Sequence, residues 1–177
     1  MGGASGHIRH LHEIGELTFG ELKSIMRKAD RGRLVDVTEK VDGQALTFTW
    51  SIDRGLRVAR SLGDIVSGGM TQGELQFRFG DKWNVAETFI DGFKVLRAAL
   101  AALDPVDQRA IFANGRFWFG VEIVNKQNPN VIVYDRNALI VHGFPIFVLG
   151  DSGRPEAVPG GAQSKRLQEV MGALQRA

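Results

Sequence analysis

Apolar residues recur at helical spacing in two clear places. Thr18-Phe19-Gly20-Glu21 has the form of a capping box, and Leu22, Ile25, Met26 and Ala29 then mark one face of a helix that ends near Gly32. A longer stripe, Val85, Phe89, Phe93, Leu96, Leu100 and Leu103, repeats at three- and four-residue steps behind an Asn84-x-x-Glu87 cap and predicts the main core helix. Asp104-Pro105 breaks it, and a short helix runs on to Phe112. Thr71–Phe79 reads as a further short helix and 163–175 as a terminal one, with Leu167, Val170, Met171 and Leu174 on one face. Strand-type runs cover Leu34–Lys40, Ala45–Ile52, Leu56–Ser61, Phe117–Val124, Val131–Tyr134 and Leu139–Val148, the last broken at Phe144-Pro145. Asp53-Arg54-Gly55 is a tight turn, Leu62–Met70 a glycine-rich loop and Asn125–Asn130 a polar loop.

The order of these elements predicts an α+β fold, antiparallel sheets with inserted helices, because the regular strand–helix alternation of a doubly wound sheet is absent. Residues 1–16 read as a flexible leader, 17–150 as the main domain, 151–162 as a Gly/Pro linker and 163–177 as a C-terminal helix. No internal repeat breaks this organisation.

Composition narrows the chemistry. A chain of 177 residues with 44% apolar and 24% charged residues can bury a core of its own. With no cysteine, thiolate catalysis, disulfides and cysteine-ligated zinc are excluded. A net charge of +2 gives no global basic field, although Arg27-Lys28 with Arg31 and Arg33 forms a local one. His7, His10 and His12 lack the carboxylate–histidine spacing of a metal site and read as part of the leader. No apolar run approaches a membrane span and no apolar stretch of a signal peptide follows Met1, so the expected location is cytoplasmic, with no membrane partner.

The most informative residue is Lys40, in Val37-Thr38-Glu39-Lys40-Val41-Asp42-Gly43 at the junction of two strands. An edge lysine is commonly a solvated guard against aggregation. Lys-x-Asp-Gly, however, resembles the first motif of the covalent nucleotidyltransferases, the ATP-dependent DNA ligases, RNA ligases and mRNA capping enzymes. Further segments follow in that superfamily's order. Val58-Ala59-Arg60-Ser61-Leu62-Gly63 looks like the motif whose arginine contacts ribose or the lysine-linked phosphate. Trp118-Phe119-Gly120-Val121-Glu122-Ile123-Val124 looks like the apolar-Gly-Glu-apolar motif, and a mid-strand glutamate among apolar neighbours is costly unless satisfied. Leu139-Ile140-Val141-His142-Gly143-Phe144 sits where an aromatic stacks on the base. Gly120–Ile123 with Asn128-Pro129-Asn130, Tyr134-Asp135 and the Gly63–Met70 loop is most similar to RNA-ligase-like proteins of tailed phages, over roughly residues 1–150.

The resemblance implies a ligase-type, ATP-grasp-like nucleotidyltransferase fold. It implies Lys40 as the adenylylated nucleophile and Glu39, Asp42, Gly43, Arg60, Glu122 and Phe144 as nucleotide-binding residues, with Glu122 also on the metal side. ATP and Mg²⁺ or Mn²⁺ are the implied cofactors, and RNA or DNA with a 5′-phosphate the acceptor. Two late family motifs, Glu-Gly-apolar-apolar-apolar-Lys and Lys-apolar-Lys, have no counterpart after Phe144, where Lys165-Arg166 is the only basic pair, so the fold is expected to lack its last strands. The alternative is a catalytically incomplete phage virion protein that keeps the fold, is packaged with other virion proteins and has lost the chemistry.

Overall fold

The computed structural model describes residues 15–34 and 41–176. The chain falls into two compact units, His7–Val41 and a larger one from Asp42 onward. In the first, the described element is α1 (Phe19–Asp30), started by the expected capping box: Thr18 Oγ1 accepts from the Glu21 backbone N–H and the Glu21 carboxylate accepts from the Thr18 N–H. The strand expected over Leu34–Lys40 falls almost wholly on residues 35–40, outside the described residues, as do the leader histidines.

The larger unit is α+β. One antiparallel five-stranded sheet has the order β2-β1-β3-β4-β5, from β1 (Gln44–Ser51), β2 (Gly55–Ala59), β3 (Phe117–Val124), β4 (Ala138–Leu149) and β5 (Pro155–Ala157). The two central strands have alternating side chains on two faces. Leu46, Phe48, Phe119, Val121 and Ile123 join the main core with Phe89, Phe93, Leu96 and Leu100 of α4 (Trp83–Ala101) and with Ile111 and Phe112 of α5 (Pro105–Phe112). Phe48, Phe112 and Phe119 meet at ring-centroid separations of 5.4–6.1 Å, within the range of favourable tilted and edge contacts. Buried Gln108 donates to the carbonyls of Leu100 and Leu103 and so satisfies the C-terminal end of α4.

The opposite face is different. Thr47, Thr49 and Ser51 are buried there; Thr49 Oγ1 donates to Phe117 O at 2.7 Å and Thr47 Oγ1 to Ala59 O. A second, small apolar cluster of Ala59, Ile65, Trp118 and Phe147 covers part of it. α6 (Gly160–Arg176) adds Val170 and Ala173 to the main core.

Several expectations are corrected. The Leu62–Met70 segment is not all loop: Ser61 and Asp64 form a capping box that starts α2 (Leu62–Val66), and Met70 then exchanges backbone hydrogen bonds with Val58 along the outer side of β2. α3 (Gln72–Phe79) begins, as expected, after Thr71, with Glu74 completing its cap. Asn84 is not a cap; the N-cap position falls at Lys82, two residues earlier, and the Asn84 carbonyl instead accepts from Thr88 and Asn128. Val131–Tyr134 is not a strand, because the Val131 and Ile132 N–H groups go to a carboxylate rather than to a neighbouring strand. The 151–162 segment contains β5, paired with β4. Met171 is partly exposed rather than aligned with Val170 in the core.

Candidate nucleotide site

Gly43 leads into β1, and two residues later Ala45 lies opposite Glu122 of β3. A side chain at Gly43 would put a Cβ 2.8 Å from the Ile123 carbonyl oxygen and 3.1 Å from Glu122 Oε2. The glycine of Lys-x-Asp-Gly is therefore required by close approach to the glutamate strand. This contact joins two motifs that lie far apart in sequence.

Arg60 reaches the same end of the sheet from β2. Its Nη1 donates to the Ala45 carbonyl, and the guanidinium lies 5.7 Å from the centre of the Phe89 ring. Burial pushes the Arg60 pKa down, Glu122 opposes this by favouring the charged form, and Arg78 adds a smaller downward push. The backbone of Arg60 is fixed as well. Asp64 Oδ2 accepts from the Arg60 N–H at 2.9 Å and the Ser61 N–H at 2.8 Å, while Asp64 Oδ1 accepts from Arg78 at 2.6 Å. Burial would raise the Asp64 pKa, but the hydrogen bonds from Arg60, Arg78 and Ser61 outweigh it and leave the carboxyl below its ordinary value. The sequence offered Asp64 and Arg78 no role; the Ser61-x-x-Asp64 spacing was the available signal.

Asp42 is a loop organiser. Its Oδ2 accepts from the Val131 and Ile132 N–H groups, both at 2.6 Å, and its Oδ1 from Asn130 Nδ2 at 2.8 Å. Its own N–H donates to the Tyr134 hydroxyl at 3.0 Å. Asn130 and Tyr134, which the sequence marks only as part of a resemblance, thus hold Asp42.

On the face carrying Glu122, Gly120 lies opposite His142 of β4. A Cβ at Gly120 would fall 2.4 Å from His142 Cε1, so the bare glycine gives the imidazole its place. His142 Nε2 then stands 3.9 Å from Glu122 Oε1. His142 had no assigned role in the sequence, where it was only one residue of an apolar strand.

The remaining expected residues are placed less fully. Lys40 and Glu39 lie outside the described residues. Phe144 belongs to β4, between His142 and Phe147 where the register with β3 shifts, and only its backbone is described. Among the described residues there is no cluster of three or more His, Asp or Glu side chains able to hold a metal ion. No described helix is long and apolar enough to cross a membrane. Comparison with known proteins finds no matching family model, no matching curated protein and no matching solved structure.

Proposed function

We propose that the chain is an ATP-dependent, lysine-adenylylating nucleotidyltransferase domain related to RNA and DNA ligases, with a ligase-type fold that lacks the last strands. The observation that carries this reading is the approach of Gly43, three residues after Lys40, to Glu122, with Arg60 electrostatically coupled to the same carboxylate. Nothing in ordinary strand packing calls for a half-buried glutamate and arginine beside the glycine of a Lys-x-Asp-Gly segment.

In this reading the Lys40 amine, once deprotonated, attacks the α-phosphorus of ATP. A P–N bond forms, the bond from the α-phosphorus to the bridging oxygen breaks, and pyrophosphate leaves with that electron pair. The amine proton passes to solvent or to the departing pyrophosphate. A 5′-phosphate oxygen of RNA or DNA then attacks the same phosphorus and releases the lysine. Glu122 accepts from ribose hydroxyls or from metal-bound water, and Arg60 offers a fixed cation to phosphate or ribose oxygens. A single carboxylate with water and phosphate oxygens suits Mg²⁺, which keeps much of its hydration and here would neutralise charge on the triphosphate. Phe144 is assigned to the base and Glu39 to the neighbourhood of the adenine. Asp42 holds loop 130–134 in place.

The test is self-labelling with α-³²P-ATP and Mg²⁺ or Mn²⁺ on a denaturing gel. A labelled band from the wild type that disappears in Lys40→Ala is expected; a band of equal intensity in the variant would remove Lys40 from the chemistry.

A second reading has its own support. The only late basic pair is already engaged on its arginine side: Arg166 Nη1 donates to Ala110 O at 2.9 Å, and the guanidinium stacks 4.1 Å from the centre of the Phe117 ring. That leaves pyrophosphate without the family's late lysines and favours a catalytically incomplete protein packaged in a phage virion. In that case the soluble, folded chain gives no labelled band, and mass spectrometry finds it in purified particles.

A further inference from the structure

α1 carries a cationic surface that the adenylylation reading does not use. At about 100° per residue, Phe19, Leu22, Ile25, Met26 and Ala29 share one side of the helix, while Lys23, Arg27 and Arg31 lie around the opposite side, with Lys28 beside them. Arg33 follows just past the helix end, where its N–H donates to the Lys28 carbonyl at 2.7 Å. Arg27, Lys28, Arg31 and Arg33 line a concavity of about 460 Å³ together with the Ser24 hydroxyl. Among the described residues none of these four cations has an ion-pair partner, whereas the nearby acid Glu21 is occupied in the helix cap.

Cations in the last turn of a helix complement its dipole, which accounts for one or two of them. It does not account for four converging on one hollow beside a hydroxyl. An interfacial membrane helix also carries its cations on the polar face, but it lies along a flat layer of headgroups, whereas Arg27, Lys28, Arg31 and Arg33 line a concavity. The opposed arrangement suits a helix whose apolar side is available to protein and whose basic side meets an extended polyanion.

We propose that α1 is a docking surface for the phosphodiester backbone of a nucleic-acid strand, gripped by Arg27, Lys28, Arg31 and Arg33. The inference rests on residues separate from Lys40 and Glu122, so it stands or falls independently of adenylylation.

The test is fluorescence anisotropy of the full chain with 5′-labelled single-stranded RNA and, separately, DNA. Four phosphate contacts on a single strand give a log–log salt slope of about −3, so raising salt from about 50 to about 200 mM weakens binding roughly 50-fold. Replacing Arg27, Lys28 and Arg31 together by glutamine, a good helix former, is expected to flatten the slope by about 2 units, with helicity retained by circular dichroism. Arg27→Lys with Arg31→Lys is expected to keep the slope. Salt-dependent binding to either strand that is lost in the glutamine variant supports the proposal, and the two arms tell RNA from DNA. Strand binding by the glutamine variant equal to wild type overturns it. So does a wild type that binds neither strand, or one that binds only phosphatidylserine vesicles. If ATP labels nothing while strand binding is present and sensitive to the variant, adenylylation fails and this surface remains.

Discussion

The two faces of β3 have opposite construction. Phe119, Val121 and Ile123 point into a continuous apolar core under α4 and α5, where contact is dense and polar groups are scarce. Trp118, Gly120 and Glu122 point the other way, toward a face of threonines, a serine and His142, with glycine where a side chain would collide. From Phe119 to Ile123 side-chain parity thus places core residues and candidate chemistry on opposite faces, while Trp118, on the second face, is itself buried with Ala59, Ile65 and Phe147. Damage at Phe119, Val121 or Ile123 should unfold the protein, and damage at Glu122 should leave it folded and silent.

The sharpest way to break that comparison is Phe119→Ala. Emptying a fully buried aromatic position should cost about 3–5 kcal/mol, read as a lowered urea midpoint with little change in slope. Loss of labelling without loss of stability in this variant would contradict the division. Asp42→Ala should come next. Three donors lose their acceptor, and a cost of roughly 2–3 kcal/mol is expected, with faster proteolysis within 130–134 as the local readout. Glu122→Gln is the complementary case: self-labelling should fall at least tenfold while the urea midpoint moves by no more than about 1 kcal/mol. A large destabilisation would make Glu122 a structural acid and weaken the functional reading.

The pH dependence of Asp64 gives the smallest and most specific effect. Its folded pKa lies below the ordinary carboxyl value of 3.8, so its contribution to stability is fully present above that value and is lost as pH falls through the lower folded value. Asp64→Asn should therefore be less stable than wild type at neutral pH, and the gap between the two urea midpoints should narrow below about pH 4. A gap that stays constant down to pH 3 would mean the carboxylate's charge is not what holds Arg60 and Arg78.

The helices and central strands were readable in the sequence because their signals are local. Thr18 with Glu21, Thr71 with Glu74, and Asp104 before Pro105 each mark a helix start within four residues, and the β3 run needs no partner to be recognised. Misreadings arose where a distant group decided the outcome. Val131-Ile132-Val133 has the β-branched composition of a strand, yet its N–H groups are taken by Asp42, about ninety positions earlier in the chain. Gly63 hid the short helix α2, whose start depends on Ser61 and Asp64 rather than on hydrophobic period. At the candidate site, Gly43, Arg60 and Glu122 were legible as residue types in order. The roles of His142, Asp64 and Arg78 were not, because each follows from a register or a helix placement that no local pattern encodes.

The two ends of the sheet have a consequence for how the protein behaves in a crowd. On the β2 side, Val58 has already exchanged both backbone hydrogen bonds with Met70. On the other side the last strand is only three residues long and opens with Pro155, which has no N–H to offer. At these two points, Val58 and Pro155, a strand from a second molecule would find no free N–H group to pair with. Val58 and Pro155 therefore deny a second copy an amide hydrogen with which to begin a strand pairing, a local block built into the backbone rather than into surface charge.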